Sequence, residues 1–204
     1  MKSIPFLKRT LGTLAFLAVS SFSVQAQTPD FTVNNFDSDA ETGAWIRWWG
    51  NALQTYEHDS LLDADNNSTS GSLKATIEFD RTIPNGENQF ALVGAFPENA
   101  VIDGSQYTNL VFDLRWDPNS PKRSGGDFGF LEIGFRRSDS SQLWLAPLTV
   151  PATAGDGWMR VTLGINPAAT GVDQLTGIVF KMWSGDPLTG FTGTTTFWID
   201  NVHL

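Results

Sequence analysis

The chain has no cysteine. That excludes a disulfide framework and a lipid anchor on a cysteine after a leader, so stability must come from a packed core, with or without a bound metal. Histidine is nearly absent as well. Only His58 and His203 occur, and neither has an obvious partner for a Ser-His-Asp arrangement or a histidine-ligated metal. Basic residues are few, with Lys and Arg numbering 13 against 22 Asp and Glu. An acidic surface is a poor partner for nucleic acid or anionic membranes, leaves neutral sugars unaffected, and favours oxygen-ligated cations. No apolar run of membrane-spanning length follows the first residues.

Those first residues combine basic Lys2, Lys8 and Arg9, an apolar run from Leu11 to Val19, and the small-residue ending Val24-Gln25-Ala26. They read as a secretory signal peptide over residues 1–26, which predicts a secreted protein, periplasmic or extracellular. Residues 27–204 are then expected to form a single domain with no room for a catalytic one beside it.

From Phe31 onward, short β-branched and aromatic runs alternate with Gly, Pro, Asn, Asp and Ser clusters, and nothing reads as a long helix. Strands are predicted at 31–36, 45–49, 72–79, 89–96, 109–116, 128–137, 143–150, 158–165, 177–183 and 195–204. About ten short strands without intervening helices predict an all-β fold, a two-sheet antiparallel sandwich of the jelly-roll kind. Alternation places Leu110, Phe112 and Leu114 inside, and turns Glu132, Lys181 and Trp183 outward. The loop 118–126, rich in Pro, Ser and Gly, reads as disordered.

What the chain does have is tryptophan, 8 in all, three of them in Trp45-Ile46-Arg47-Trp48-Trp49. On a regular strand Trp45, Arg47 and Trp49 share one face. An indole face is flat and apolar and complements the C–H face of a pyranose, while Arg, Gln, Glu and Lys can bond its hydroxyls. The ligand-binding candidates are therefore Trp45, Arg47, Trp49, Glu132, Gln142, Trp144, Lys181 and Trp183. Trp158 and Trp198 read as structural, and Trp48 and Trp116 are undecided. Glu132 offers one carboxylate where jelly-roll glucanases place a cluster, so no catalytic residue is assigned and the chain reads as a non-enzyme. Acidic and amide residues crowd two loops, Asp37, Asp39 and Glu41 and then Asp59, Asp63, Asp65, Asn66 and Asn67, without the EF-hand pattern.

In order along the chain come Asn35-Phe36-Asp37, Ser70-Gly71-Ser72-Leu73-Lys74-Ala75-Thr76, Tyr107 to Arg115, the Trp158 strand, and the closing Phe197-Trp198-Ile199-Asp200-Asn201-Val202. This succession resembles the calcium-bearing carbohydrate-binding modules of the galactose-binding-like jelly-roll type, such as those appended to bacterial cellulases and xylanases. The resemblance implies a non-catalytic protein that binds polysaccharide or oligosaccharide, alone or beside a separate glycan-degrading enzyme. It also implies that the first and last strands lie side by side and that a structural Ca²⁺ is held by Asp37, Asp65 and Asp200. Two other readings stay open: a small glycan-active hydrolase or lyase on the same sandwich, and an adhesion or structural protein of the envelope.

Overall fold

The computed structural model describes residues 30–50, 53–83, 89–185 and 188–204, so residues 1–26, read from sequence as a signal peptide, lie outside the described residues. Twelve strands are arranged as two antiparallel six-stranded sheets. They are β1 (Thr32–Asn34), β2 (Trp45–Trp49), β3 (Leu53–Asp59), β4 (Ser72–Phe79), β5 (Gln89–Ala95), β6 (Asn109–Trp116), β7 (Phe130–Arg137), β8 (Gln142–Trp144), β9 (Leu148–Thr149), β10 (Met159–Gly164), β11 (Leu175–Trp183) and β12 (Gly193–His203). The first sheet runs β10-β6-β12-β4-β3, with β1 also paired to β12; the second runs β2-β5-β11-β7-β8, with β9 also paired to β7.

Three departures from the sequence-based expectations, two in strands and one in a loop, have physical reasons. The strand β3 was missed because its run Gln54-Thr55-Tyr56-Glu57-His58-Asp59 is almost wholly polar, and an edge strand needs only one neighbour, here β4. The predicted strand 143–150 breaks at Ala146-Pro147, since proline donates no ladder hydrogen bond, leaving β8 and β9 on the same neighbour, β7. The loop 118–126 is held by one long-range and one local contact: Ser120 Oγ accepts from Thr196 N of β12 at 3.2 Å, and Arg123 pairs with Asp127 at 2.6 Å. One short helix, α1 (Asp39–Gly43), follows Ser38, whose hydroxyl accepts from Glu41 N and caps it.

The sheets meet through alternating apolar side chains. Leu110, Phe112, Leu114 and Trp116 of β6 face Leu131, Ile133 and Phe135 of β7 and Ile178, Phe180 and Met182 of β11, all buried. Strands β1 and β12 close the first sheet side by side, with Phe31 and Leu204 exchanging backbone hydrogen bonds of 3.1 and 3.0 Å.

Trp45 belongs to this core. It is 1 % exposed, with its ring 5.4 Å from Phe36 and 5.5 Å from Phe180. Gly94 pairs with it across the strands, and a methyl group there would come within 2.5 Å of the indole. The ring has no space to retreat into. Gly94→Ala is therefore expected to lower stability by about 1–3 kcal/mol through overpacking, as a shift in the urea midpoint at unchanged slope.

Candidate functional site: a tryptophan platform on the outer face of the second sheet

Register assembles the site. Across the outer face of the second sheet, one row of facing residues runs Ile46, Val93, Val179, Gly134, Trp144, and the next runs Trp49, Ala91, Lys181, Glu132. A third holds Gln89, Trp183, Phe130 and Thr149. The middle of this face is small and apolar, and Ala91, Val93 and Val179 are buried beneath Trp48 and Trp49.

The tryptophans of the two edge strands, β2 and β8, use that floor. Four strand spacings of about 4.8 Å separate these edges, roughly 19 Å. Even so, the Trp49 and Trp144 rings approach to 5.9 Å, edge to face. Trp144 reaches inward because Gly134 offers no side chain: a Cβ there would stand 2.7 Å from the indole. Trp48 adds a third ring, 4.5 Å from Trp49. The cluster is partly open, with Trp144 38 % exposed. Lys181 Nζ lies 5.1 Å from the centre of the Trp144 ring and forms an ion pair with Glu132. Apolar ring faces thus stand beside one fixed cation and one fixed carboxylate, a set that offers stacking, donors and an acceptor.

Of the residues singled out from sequence, Trp49, Glu132, Trp144 and Lys181 come together here. Trp183 and Gln142 share the same outer face but stand apart from the cluster. Trp183 stacks on Phe130 at 4.6 Å, with the Arg123 guanidinium on that phenyl ring in turn, and Gln142 donates to Ser140 O at 2.8 Å. One candidate is corrected. Trp45 is in the core, whereas Arg47 stays exposed and donates to the Gly50 carbonyl at the end of its strand.

Trp45 and Trp49 part company at a β-bulge between Arg47 and Trp49. One extra residue breaks the alternation, so Trp49 leaves the face of Trp45 and joins Ile46 and Trp48 outside. A run of three tryptophans gives no hint of a bulge, and the undecided Trp48 proves to be part of the platform. Small residues at 91 and 134, which let the rings lie down, carry no chemical signal in sequence.

No protein-family profile and no curated protein matches the chain. Solved structures do. CBM27-1 of Caldicellulosiruptor saccharolyticus, determined in complex with mannohexaose, superposes with a TM-score of 0.61 at 16 % identity, over 87 % of this chain and 97 % of that one. A structure from work on promiscuous specificity among carbohydrate-binding modules of the β-sandwich superfamily gives 0.56 at 16 % identity, over 85 % and 62 %. The fold is shared with these carbohydrate-binding modules. An exo-β-agarase also matches, at 0.55 and 12 % identity, over 85 % of this chain and 25 % of the enzyme. The chain spans about three fifths of the superfamily structure's length, and identities this low establish shared architecture alone.

The carbohydrate-binding-module resemblance implies a Ca²⁺ held by Asp37, Asp65 and Asp200, and each of these side chains has a hydrogen-bond partner here. Asp37 accepts from the Ser70 hydroxyl, Asp65 accepts from the Asn201 amide at 3.0 Å, and Asp200 accepts from Ala64 N at 2.9 Å and Asn201 N at 2.8 Å. Among the described residues no three acidic, His or Cys side chains are grouped to hold a metal. A structural Ca²⁺ held by Asp37, Asp65 and Asp200 predicts a higher melting temperature in calcium than in chelator, and an unchanged value would remove it.

Asp200 is notable without a metal. It is wholly buried, and desolvation, reinforced by Asp63 and Asp113 nearby, pushes its carboxyl up to about 7 against the opposing pull of the two backbone N–H groups. Asp113, also buried, is held below the usual carboxylate range because hydrogen bonds and charge from Arg160, together with the Asn201 amide, outweigh its desolvation.

Proposed function

We propose that this protein is exported and binds polysaccharide, without cleaving it, on the outer face of the second sheet. The observation that carries the reading is the meeting of Trp49 and Trp144 over a floor of small residues, with Lys181 and Glu132 beside them. Sugar rings stack on the indoles and their hydroxyls exchange bonds with the ammonium and the carboxylate. The sandwich shared with carbohydrate-binding modules, one of them solved with a mannose oligosaccharide, supports it. The commitment of Glu132 to Lys181 supports binding over hydrolysis, which needs two carboxylates facing one scissile bond. Export rests on the leader-like residues 1–26.

Open platforms of this kind bind modestly, with Kd values on the order of micromolar to millimolar, because each stacked ring contributes about 1 kcal/mol while hydroxyls exchange water for protein. Affinity electrophoresis through gels containing mannan, xylan, agarose or β-glucan tests the proposal. Retardation is expected in at least one gel. Trp144→Ala is expected to weaken it about tenfold, equivalent to ~1.4 kcal/mol. Gly134→Ala should do nearly the same, since the new methyl group displaces the Trp144 ring outward while the fold persists. Free migration of the folded protein in every gel would end the proposal.

A further inference from the structure

We propose a second saccharide site on the opposite face of the sandwich, in the pocket between the β3–β4 loop and the start of β10, shaped for a single sugar ring at a chain end or branch.

Register again supplies the frame. Across the outer face of the first sheet the facing residues run Glu57, Lys74, Trp198, Arg115. Trp158 stands just before Met159, which pairs with Leu114, so its backbone lies next to Arg115. The loop 60–71 rises at this end of the sheet and is braced from several sides. Asp59 Oδ1 accepts from Leu61 N at 3.0 Å, Asp63 Oδ1 accepts from Asn67 N at 2.7 Å, and Ser72 Oγ donates to Leu62 O at 2.6 Å. Between loop and sheet is a pocket of about 280 Å³ lined by Trp158, Arg115, Asp63, Asn66, Ser60 and Ser68, among others.

The chemistry of the lining selects the ligand. Trp158 is a half-buried aromatic wall. Arg123, Arg137 and Arg160 are all ion-paired, whereas among the described residues the Arg115 guanidinium and the side-chain amide of Asn66 make neither a hydrogen bond nor an ion pair. Arg115 therefore keeps its donors for a ligand, and Asp63 still has acceptor capacity beyond its one backbone bond. An inorganic anion would meet repulsion from Asp63. A sugar, whose hydroxyls both accept and donate, uses both groups while its C–H face covers the indole. The volume lies just under the range of about 300–1,000 Å³ for pockets that take drug-sized ligands. That volume suits a single ring. Trp198, by contrast, is held by Asp59 through its Nε1 at 2.9 Å and forms part of the scaffold.

The site does not depend on the platform, so the two are tested separately. Protein labelled with 5-fluorotryptophan gives one ¹⁹F resonance per tryptophan, with that of Trp158 assigned from Trp158→Phe. D-galactose, D-mannose, D-xylose and D-glucuronate are titrated into the wild type and into the Trp49→Ala/Trp144→Ala variant, which lacks the platform. At least one sugar is expected to shift the Trp158 resonance saturably in both proteins. Arg115→Ala should weaken that response at least tenfold while the other resonances keep their folded positions. A Trp158 resonance that ignores all four sugars, that moves only when the platform is intact, or that responds equally in Arg115→Ala overturns the proposal.

Discussion

Trp116→Ala is expected to lower the free energy of unfolding by about 3–5 kcal/mol, a large part of the 5–15 kcal/mol typical of a whole domain. The ring is completely buried. It stacks on Phe197, its cross-strand partner, at 4.8 Å and 14°, and on Phe128, which leads into the second sheet, at 5.7 Å and 22°. Removing it leaves a cavity that rigid sheets on either side cannot close. Its Nε1, however, has no hydrogen-bond partner among the described residues, and an orphaned buried donor costs about 1–3 kcal/mol. Trp116→Phe should therefore be far milder than Trp116→Ala, because it keeps the stack and removes the orphan. Urea unfolding of the three proteins measures this, and equal losses in Phe and Ala would show that the stack contributes little.

The second large effect depends on pH. Asp200 has a folded value of about 7 against an ordinary 3.8, so between those values the native state holds a proton that the unfolded chain has released. The contribution to stability is complete below about pH 4 and is lost as pH rises through about 7. At ~1.4 kcal/mol per unit the upper bound on the loss is about 4 kcal/mol. Asp200→Asn removes the titration but also gives up an acceptor for one of the two backbone N–H groups, about 1 kcal/mol. The curves of stability against pH for wild type and variant should consequently cross, with wild type ahead at pH 5 and the variant level or ahead at pH 8. Parallel curves would place the titration elsewhere.

Much of the sandwich was legible in the chain because period-two alternation is enforced wherever one face is buried. Leu110, Phe112 and Leu114 on β6 and Ile178, Phe180 and Met182 on β11 fall inside as their pattern says. The outward placement of Glu132, Lys181 and Trp183 follows from the same rule. What alternation cannot report is its own interruption. The bulge after Arg47 sets Trp49 on the face opposite Trp45, and sequence carries no mark of it. Trp158 was read as structural from its place at the head of a core strand, yet its ring borders a pocket formed by a loop some 90 residues earlier, a juxtaposition that only tertiary structure makes. The expected carboxylate set depends on the same kind of long-range placement. Asp37, Asp65 and Asp200 occupy neighbouring regions, but each side chain answers to its own hydrogen-bond donor.

The meeting of Trp49 and Trp144 also has a bearing on how the surface comes into being. Neither strand is hydrogen-bonded to the other, and the two rings are 95 positions apart in the chain. The platform therefore exists only once both margins of the sheet have docked, and fraying at either margin dismantles it. On the proposed function, a sugar chain lying across both rings would act as a cross-brace, tying together two strands that the backbone leaves unconnected, so that occupancy and the order of the sheet's margins rise together.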